Sequence, residues 1–104
     1  MSIATTTTWK AAPGEREGLL RLFAEWKAMH ERHGGRVRMW SYGLSGSDFG
    51  NLVYMVEFDD LEAYARFAAG VREDPDWPRL APGLFSGAHG TIIHTAMLHE
   101  LRLE

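Results

Sequence analysis

Leu52-Val53-Tyr54-Met55-Val56-Glu57-Phe58 runs without a break into Asp59-Asp60-Leu61-Glu62-Ala63-Tyr64. The first seven residues set Leu52, Tyr54, Val56 and Phe58 against Val53, Met55 and Glu57, the period of two expected of a strand. β-Branched and aromatic side chains suit that pleated surface. Asp59 with Glu62 three residues on is a capping-box pattern, so the strand is predicted to turn directly into a helix. That helix spans Leu61 to Glu73, with Leu61, Tyr64, Phe67, Ala68 and Val71 on one face.

Outward from this junction the rest of the chain falls into place. Leu44 to Asn51, with glycines at 46 and 50, reads as a loop between antiparallel strands, and Val37 to Gly43 is the strand before it. Glu15 to His33 is a long amphipathic helix whose apolar stripe is Leu19, Leu22, Phe23, Trp26, Met29 and His30. Gly34-Gly35 gives it a left-handed stop. The β-branched run Thr5–Thr8, with Ile3 and Trp9, predicts a first strand over residues 2 to 10 that ends at Pro13-Gly14. Pro75 and Pro78 break the second helix, an irregular segment reaches Gly90, and Thr91 to Leu101 is the last strand. The order β-α-β-β-α-β predicts a ferredoxin-like α+β domain over residues 1–104, a four-stranded antiparallel sheet with both helices on one face.

The sheet is apolar on its other side too. Val53 and Met55 oppose the main apolar face of their strand, Trp40 and Tyr42 oppose Val37 and Met39, and the last strand carries Ile92, Ala96 and Leu98 against Ile93 and Met97. A face left to water would alternate more sharply. A second sheet from another copy is the simplest cover, so a homodimer is expected.

Composition narrows the function. The 104 residues are 45% hydrophobic and 24% charged, the balance of a globular domain. Eleven Lys and Arg against fourteen Asp and Glu, for a formal net charge of −3, argue against nucleic acid as a partner. The absence of cysteine excludes disulfides, thiolate metal sites and a cysteine nucleophile. The N-terminus has neither the basic nor the apolar region of a signal peptide, and no apolar run approaches the ~20 residues of a membrane span. A cytoplasmic protein without a membrane partner is expected. No nucleotide, flavin or phosphate-loop pattern is present, and no cofactor is assigned.

Two segments resemble the dimeric α+β barrel superfamily, over essentially the whole chain in element order. One is the strand-to-helix junction Val56-Glu57-Phe58-Asp59-Asp60-Leu61-Glu62-Ala63-Tyr64. The other, Asp74-Pro75-Asp76-Trp77, is similar to a short motif of its NIPSNAP-like branch. The resemblance implies a dimeric barrel. It leaves the activity open among cofactor-independent antibiotic-biosynthesis monooxygenases, haem-degrading oxygenases, polyketide cyclases and members with no known catalysis. The asparagine and tryptophan common in haem-degrading and quinone-forming members align near Thr7 and at Phe58, so no catalytic residue is carried over.

Two candidate sites follow from the residues themselves. On the face away from the helices, His94 is a candidate general base, with Arg38 or Tyr42 steadying an oxyanion and Trp40, Met55 and Glu57 beside them. The bland reading of that set is a partly polar dimer interface with Arg38 paired to Glu57. Between sheet and helices, Thr5, Thr7, Trp9, Tyr54 and Phe58 are expected to form the floor of a cavity closed by Trp26, Tyr64, Phe67 and Trp77. Here the bland reading is plain core. His30 and His33 stand i, i+3 near Glu31, but without a third ligand no metal site is assigned. The expected function is therefore a cofactor-independent monooxygenase- or cyclase-like enzyme acting on a hydrophobic, aromatic, polyketide-like molecule. The alternatives are a non-catalytic small-molecule-binding or accessory dimer and, as a minor reading, haem binding through a histidine.

Overall fold

The computed structural model describes residues 2–44, 46 and 50–103. Part of the predicted loop Leu44–Asn51 lies outside the described residues. The strands are β1 (Ile3–Ala11), β2 (Arg36–Ser41), β3 (Leu52–Phe58) and β4 (Gly90–His99). The helices are α1 (Arg16–Arg32), α2 (Leu61–Glu73) and two four-residue turns, α3 (Trp77–Leu80) and α4 (Pro82–Phe85). The sheet order is β2-β3-β1-β4 with every neighbouring pair antiparallel, the ferredoxin-like α+β arrangement expected from the element order.

The core lies between the sheet and the helices. Leu52, Tyr54, Val56 and Phe58 of β3 and Ile3 and Trp9 of β1 meet Leu19, Phe23, Trp26 and Met29 of α1 and Phe67 and Val71 of α2. Trp9, at 0% exposure, sits at its centre, edge-on to Phe23 and Trp26 at 5.4 and 6.2 Å between ring centroids. Gly34, at φ 91°, ends α1 in the left-handed region. Gly35 then passes so close to β3 that a Cβ there would stand 2.5 Å from Val56 Cγ1.

Four local expectations are corrected. The cap of α2 is Asp60, whose side chain accepts from the Ala63 N–H at 2.8 Å, and Asp59 pairs instead with Arg36 at 2.9 Å. Leu61, at the first helical position, is exposed rather than part of the buried face. The segment read as irregular holds α3 and α4: Pro78 and Pro82 occupy their first turns, where a fixed φ and a missing N–H cost nothing. Simple alternation also fails in β4. The register against β1 shifts between Thr8, opposite His94, and Trp9, opposite Ile92, so Ile93 is an extra residue. Ile92 therefore joins the core while His94 shares the open face with Ala96 and Leu98.

With helices on one side only, the molecule is a slab of 40 × 40 × 17 Å. Its accessible surface is 6808 Å², against about 5,900 Å² for an ordinary monomer of its mass. Trp40, at 50% exposure, and Leu98 stand on the bare face. Among the described residues no helix is long and apolar enough to cross a membrane.

The cap assignment is checked by Asp60→Ala, which is expected to lower stability by about 1 kcal/mol. Urea unfolding should show an earlier midpoint with an unchanged slope. Asp59→Ala, which leaves the cap intact, should move the midpoint by much less.

Candidate functional site

A hollow of about 350 Å³ opens between β1 and the helices. Its floor is Thr5 and Thr7 of β1. α1 contributes Trp26 and His30, α2 Tyr64, Phe67, Ala68, Val71 and Arg72, and the short turns Trp77 and Leu84. The volume lies at the small end of ligand sites, roughly 300–1,000 Å³. The strand explains the space: on this face β1 reads Ile3, Thr5, Thr7, Trp9, so two small side chains stand between two large ones. Two other hollows, of about 260 and 280 Å³, are shallower in chemistry. One sits at the end of the sheet around Ser2, Glu57 and Glu100, the other along α1 around Arg21, Glu25 and His89.

The structure brings part of the expected set together around this hollow. Thr5, Thr7, Trp26, Tyr64, Phe67 and Trp77 line the hollow. Trp9, Tyr54 and Phe58 do not; they are buried behind it in the core, and Trp9 Nε1–H donates to Thr7 Oγ1 at 2.9 Å. Trp40 is on the opposite face of the sheet. Two wall residues, His30 and Arg72, were not anticipated as part of this site. His30 belongs to the apolar stripe of α1, and that membership is the sequence signal that places it on the wall.

His30 is tied to the core by Tyr54, whose Oη lies 2.7 Å from its Nδ1. Tyr54 is buried and its hydroxyl has no other hydrogen-bond partner among the described residues. With the Tyr54 hydroxyl as donor to Nδ1, the imidazole carries its own proton on Nε2. Burial, reinforced by the neighbouring His33, lowers the His30 pKa to about 4, so the ring is neutral at pH 7. Burial, and then the charge of Glu31, likewise pushes the Tyr54 phenol well above its ordinary value. The pair is a fixed, uncharged donor arrangement rather than a base in waiting. Trp26, 5% exposed, has an Nε1–H with no partner among the described residues.

The Asp74-Pro75-Asp76-Trp77 segment frames the same hollow. Asp74 is buried and accepts from the Asp76 backbone N–H at 2.8 Å, from Arg32 Nη2 at 3.0 Å and from His33 Nε2 at 2.7 Å. These bonds, in that order, hold its carboxyl well below the usual carboxylate range. Asp76 takes a second bond from Arg32 Nη2 at 2.8 Å. The motif thus ties the end of α1 to the end of α2 and sets Trp77 over the hollow. His33 is engaged here and is not free to share a metal with His30.

On the open face, cross-strand register aligns Trp40, Val53, Thr8 and His94 in one row, and Arg38, Met55, Thr6 and Ala96 in the next. His94 does share the face of Arg38 and Trp40. It lies on β4 and they lie on β2, the two opposite edges, about 14 Å apart at ~4.8 Å per strand. Tyr42 falls just beyond β2, its backbone paired with Asn51 and Gly50. The grouping of His94 with Arg38 and Tyr42 into one catalytic cluster is therefore not assembled within a single chain. Arg38 instead approaches Glu57 at 3.5 Å.

No protein-family model matches the chain, and no curated protein matches it. Solved structures do. A NIPSNAP domain protein from Burkholderia xenovorans superposes with a TM-score of 0.73 at 16% identity, covering 97% of this chain and 95% of that one. A second, NIPSNAP-like, domain protein from the same organism gives 0.70 at 15% identity, over 99% of this chain and 88% of that one. SnoaB, a cofactor-independent oxygenase from Streptomyces nogalater, gives 0.63 at 21% identity, over 98% and 95%. At such identities the likeness is one of fold, the ferredoxin-like α+β arrangement.

The state of His30 has a measurable consequence. The unfolded chain takes up a proton at this residue below about pH 6.5, and the folded chain resists it until about pH 4. The stability His30 contributes is present above pH 6.5 and is lost as the pH falls toward 4. His30→Gln, which keeps an acceptor for Tyr54, should flatten that limb when urea midpoints are compared between pH 7 and 4.5. Asp74 acts lower, below about pH 3.8, and should leave this window unaffected.

Proposed function

We propose that the chain is a cofactor-independent monooxygenase- or cyclase-like enzyme that binds a hydrophobic aromatic molecule in the hollow between β1 and the helices. The observation that carries this reading is the hollow itself, walled by Trp26, Tyr64, Phe67 and Trp77 and furnished with the Tyr54-oriented His30 donor. Aromatic walls suit a flat apolar ring system, and a few fixed polar groups suit its oxygen atoms. Likeness of fold to an oxygenase that needs no cofactor supports the class of chemistry without naming the substrate. A donor aimed at a ring oxygen stabilises the anion that an activated phenol or ketone becomes, and that anion is the form reactive toward oxygen.

The same surface features support a homodimer. The exposed Trp40, Ile93 and Leu98 and the excess of about 900 Å² over an ordinary monomer match the ~800 Å² that each partner buries in a standard interface. In that arrangement two bare sheet faces cover one another, and Arg38, Glu57 and His94 become rim or interface groups.

The second reading is a binding or accessory protein that returns its ligand unchanged. It is favoured by the absence of a free base in the hollow to take a substrate proton: no carboxylate lines it, and His30 Nδ1 is engaged by Tyr54.

Oligomeric state is checked by native mass spectrometry, with a mass of two chains expected. Trp40→Asp places a charge on the bare face and should give the monomer; a wild-type monomer would refute the dimer. Catalysis is checked with an anthrone in aerated buffer. Oxygenation consumes one O2 per anthrone and yields one anthraquinone and one water, read by oxygen uptake and absorption. Wild-type protein should exceed the uncatalysed rate, Ala68→Phe should lose at least about tenfold by filling the hollow, and His94→Ala should not. Saturable binding without oxygen uptake would favour the accessory reading, and equal rates for Ala68→Phe and wild type would remove the hollow from the reaction.

A further inference from the structure

We infer that the hollow selects an aromatic molecule bearing a carboxylate or an equivalent anion, with its rings among the aromatic walls and its charge on Arg72. This rests on the hollow being the ligand site and adds the charge and polarity of the ligand.

The argument begins with what the wall offers. Thr7 Oγ1 accepts one bond from Trp9 Nε1–H and keeps its own proton to give. His30 presents Nε2–H, because Nδ1 is taken by Tyr54. Trp26 Nε1–H is a donor with no acceptor among the described residues, and an N–H can do nothing else. Arg72, exposed at the surface, is among the residues that line the hollow. Not one of the lining residues is an aspartate or a glutamate. Beside the Thr5 and Tyr64 hydroxyls, which can give or accept, the polar groups are donors with no opposing negative charge, and their complement is a group rich in acceptors.

Arg72 is the arginine among the lining residues, and like Arg21 and Arg66 it has no carboxylate partner among the described residues. Arg32, Arg36, Arg38 and Arg79 each stand against a carboxylate. Arg72 has no ion pair or hydrogen bond among the described residues. The acids that follow it most closely do not claim it: Asp74 and Asp76 are engaged by Arg32 and His33, and Glu73 does not line the hollow. A fork of five N–H donors beside an aromatic cavity fits a carboxylate in two bonds at once. Aromatic walls alone would also attract a cation. The guanidinium opposes that, and no carboxylate on the wall supports it.

Three probes of one shape decide the matter: 2-naphthoate, 2-naphthalenemethanol and 2-naphthylmethylammonium, titrated calorimetrically at pH 7 and low salt into the whole chain. Naphthoate should bind at least about tenfold more tightly than the alcohol, and the ammonium more weakly than either. Arg72→Gln should bring the ratio of naphthoate to alcohol affinity close to one. Equal affinities for naphthoate and alcohol, or a preference that survives Arg72→Gln, would overturn the inference and leave the hollow as a neutral ligand site. Should none of the probes bind, or should all bind Ala68→Phe as they bind wild type, the hollow itself would fail as the ligand site and the inference with it.

Discussion

A single buried carboxylate, that of Asp74, holds the helical layer together. It stands where α2 ends and receives Arg32 and His33 from the end of α1 and the backbone N–H of Asp76 from the turn into α3. Those donors come from the end of α1 and from the turn into α3, so the two are fixed relative to the end of α2 through one group. A buried charge is tolerable only with such a full set of partners. The wall of the hollow is built from the same pieces: Trp26 and His30 on α1, Tyr64 and Phe67 on α2, Trp77 just past the clamp. Its width is therefore set by an ionic joint as much as by apolar packing.

The hollow exists because β1 is underfilled. Between Ile3 and Trp9 the strand presents Thr5 and Thr7 to the helices, while its neighbour β3 presents Tyr54, Val56 and Phe58. The larger side chains close the core beneath α1, and the threonines leave room beside it. Interiors of small domains are packed tightly enough that such a space is unusual without a cause. Here the cause lies in two residues at the centre of the sheet. They cost little in strand propensity, since threonine is β-branched, and they bring hydroxyl groups to the floor.

Much of this was legible from residues alone, and the failures have local causes. The order of elements followed from strong signals: the alternation of Leu52–Phe58, the stripe of α1, the glycines at 34 and 35. Short helices α3 and α4 were missed because four residues show no periodicity and their prolines read as breakers rather than first-turn residues. The cap of α2 falls one residue later than the pattern implies: Asp59 has the glutamate three residues on, but Asp59 pairs with Arg36 on another strand and the adjacent Asp60 caps the helix. The site was half legible. Aromatic residues at helical spacing pointed to a sheet–helix cavity, but alternation cannot tell a wall from the core behind it, and so Trp9, Tyr54 and Phe58 were placed too far forward. His94, Arg38 and Tyr42 were grouped by shared face. A face says nothing about which strands are neighbours, and the order β2-β3-β1-β4 sends them to opposite edges.

That order leaves β2 and β4 each with one unpaired side, and unpaired strand edges are templates on which other chains can add. β2 exposes Arg36 and Arg38 along its short length. An incoming copy would bring its own arginines against them. β4 is long and carries few charges, but the extra residue at Ile93 interrupts it midway. A bulge bends the strand and breaks the even spacing of its free N–H and C=O groups, so no straight strand can zip along its whole length. The irregularity that upset the pattern of β4 thus acts as a guard against runaway stacking. It leaves the broad face of the sheet as the surface for the proposed pairing of two copies.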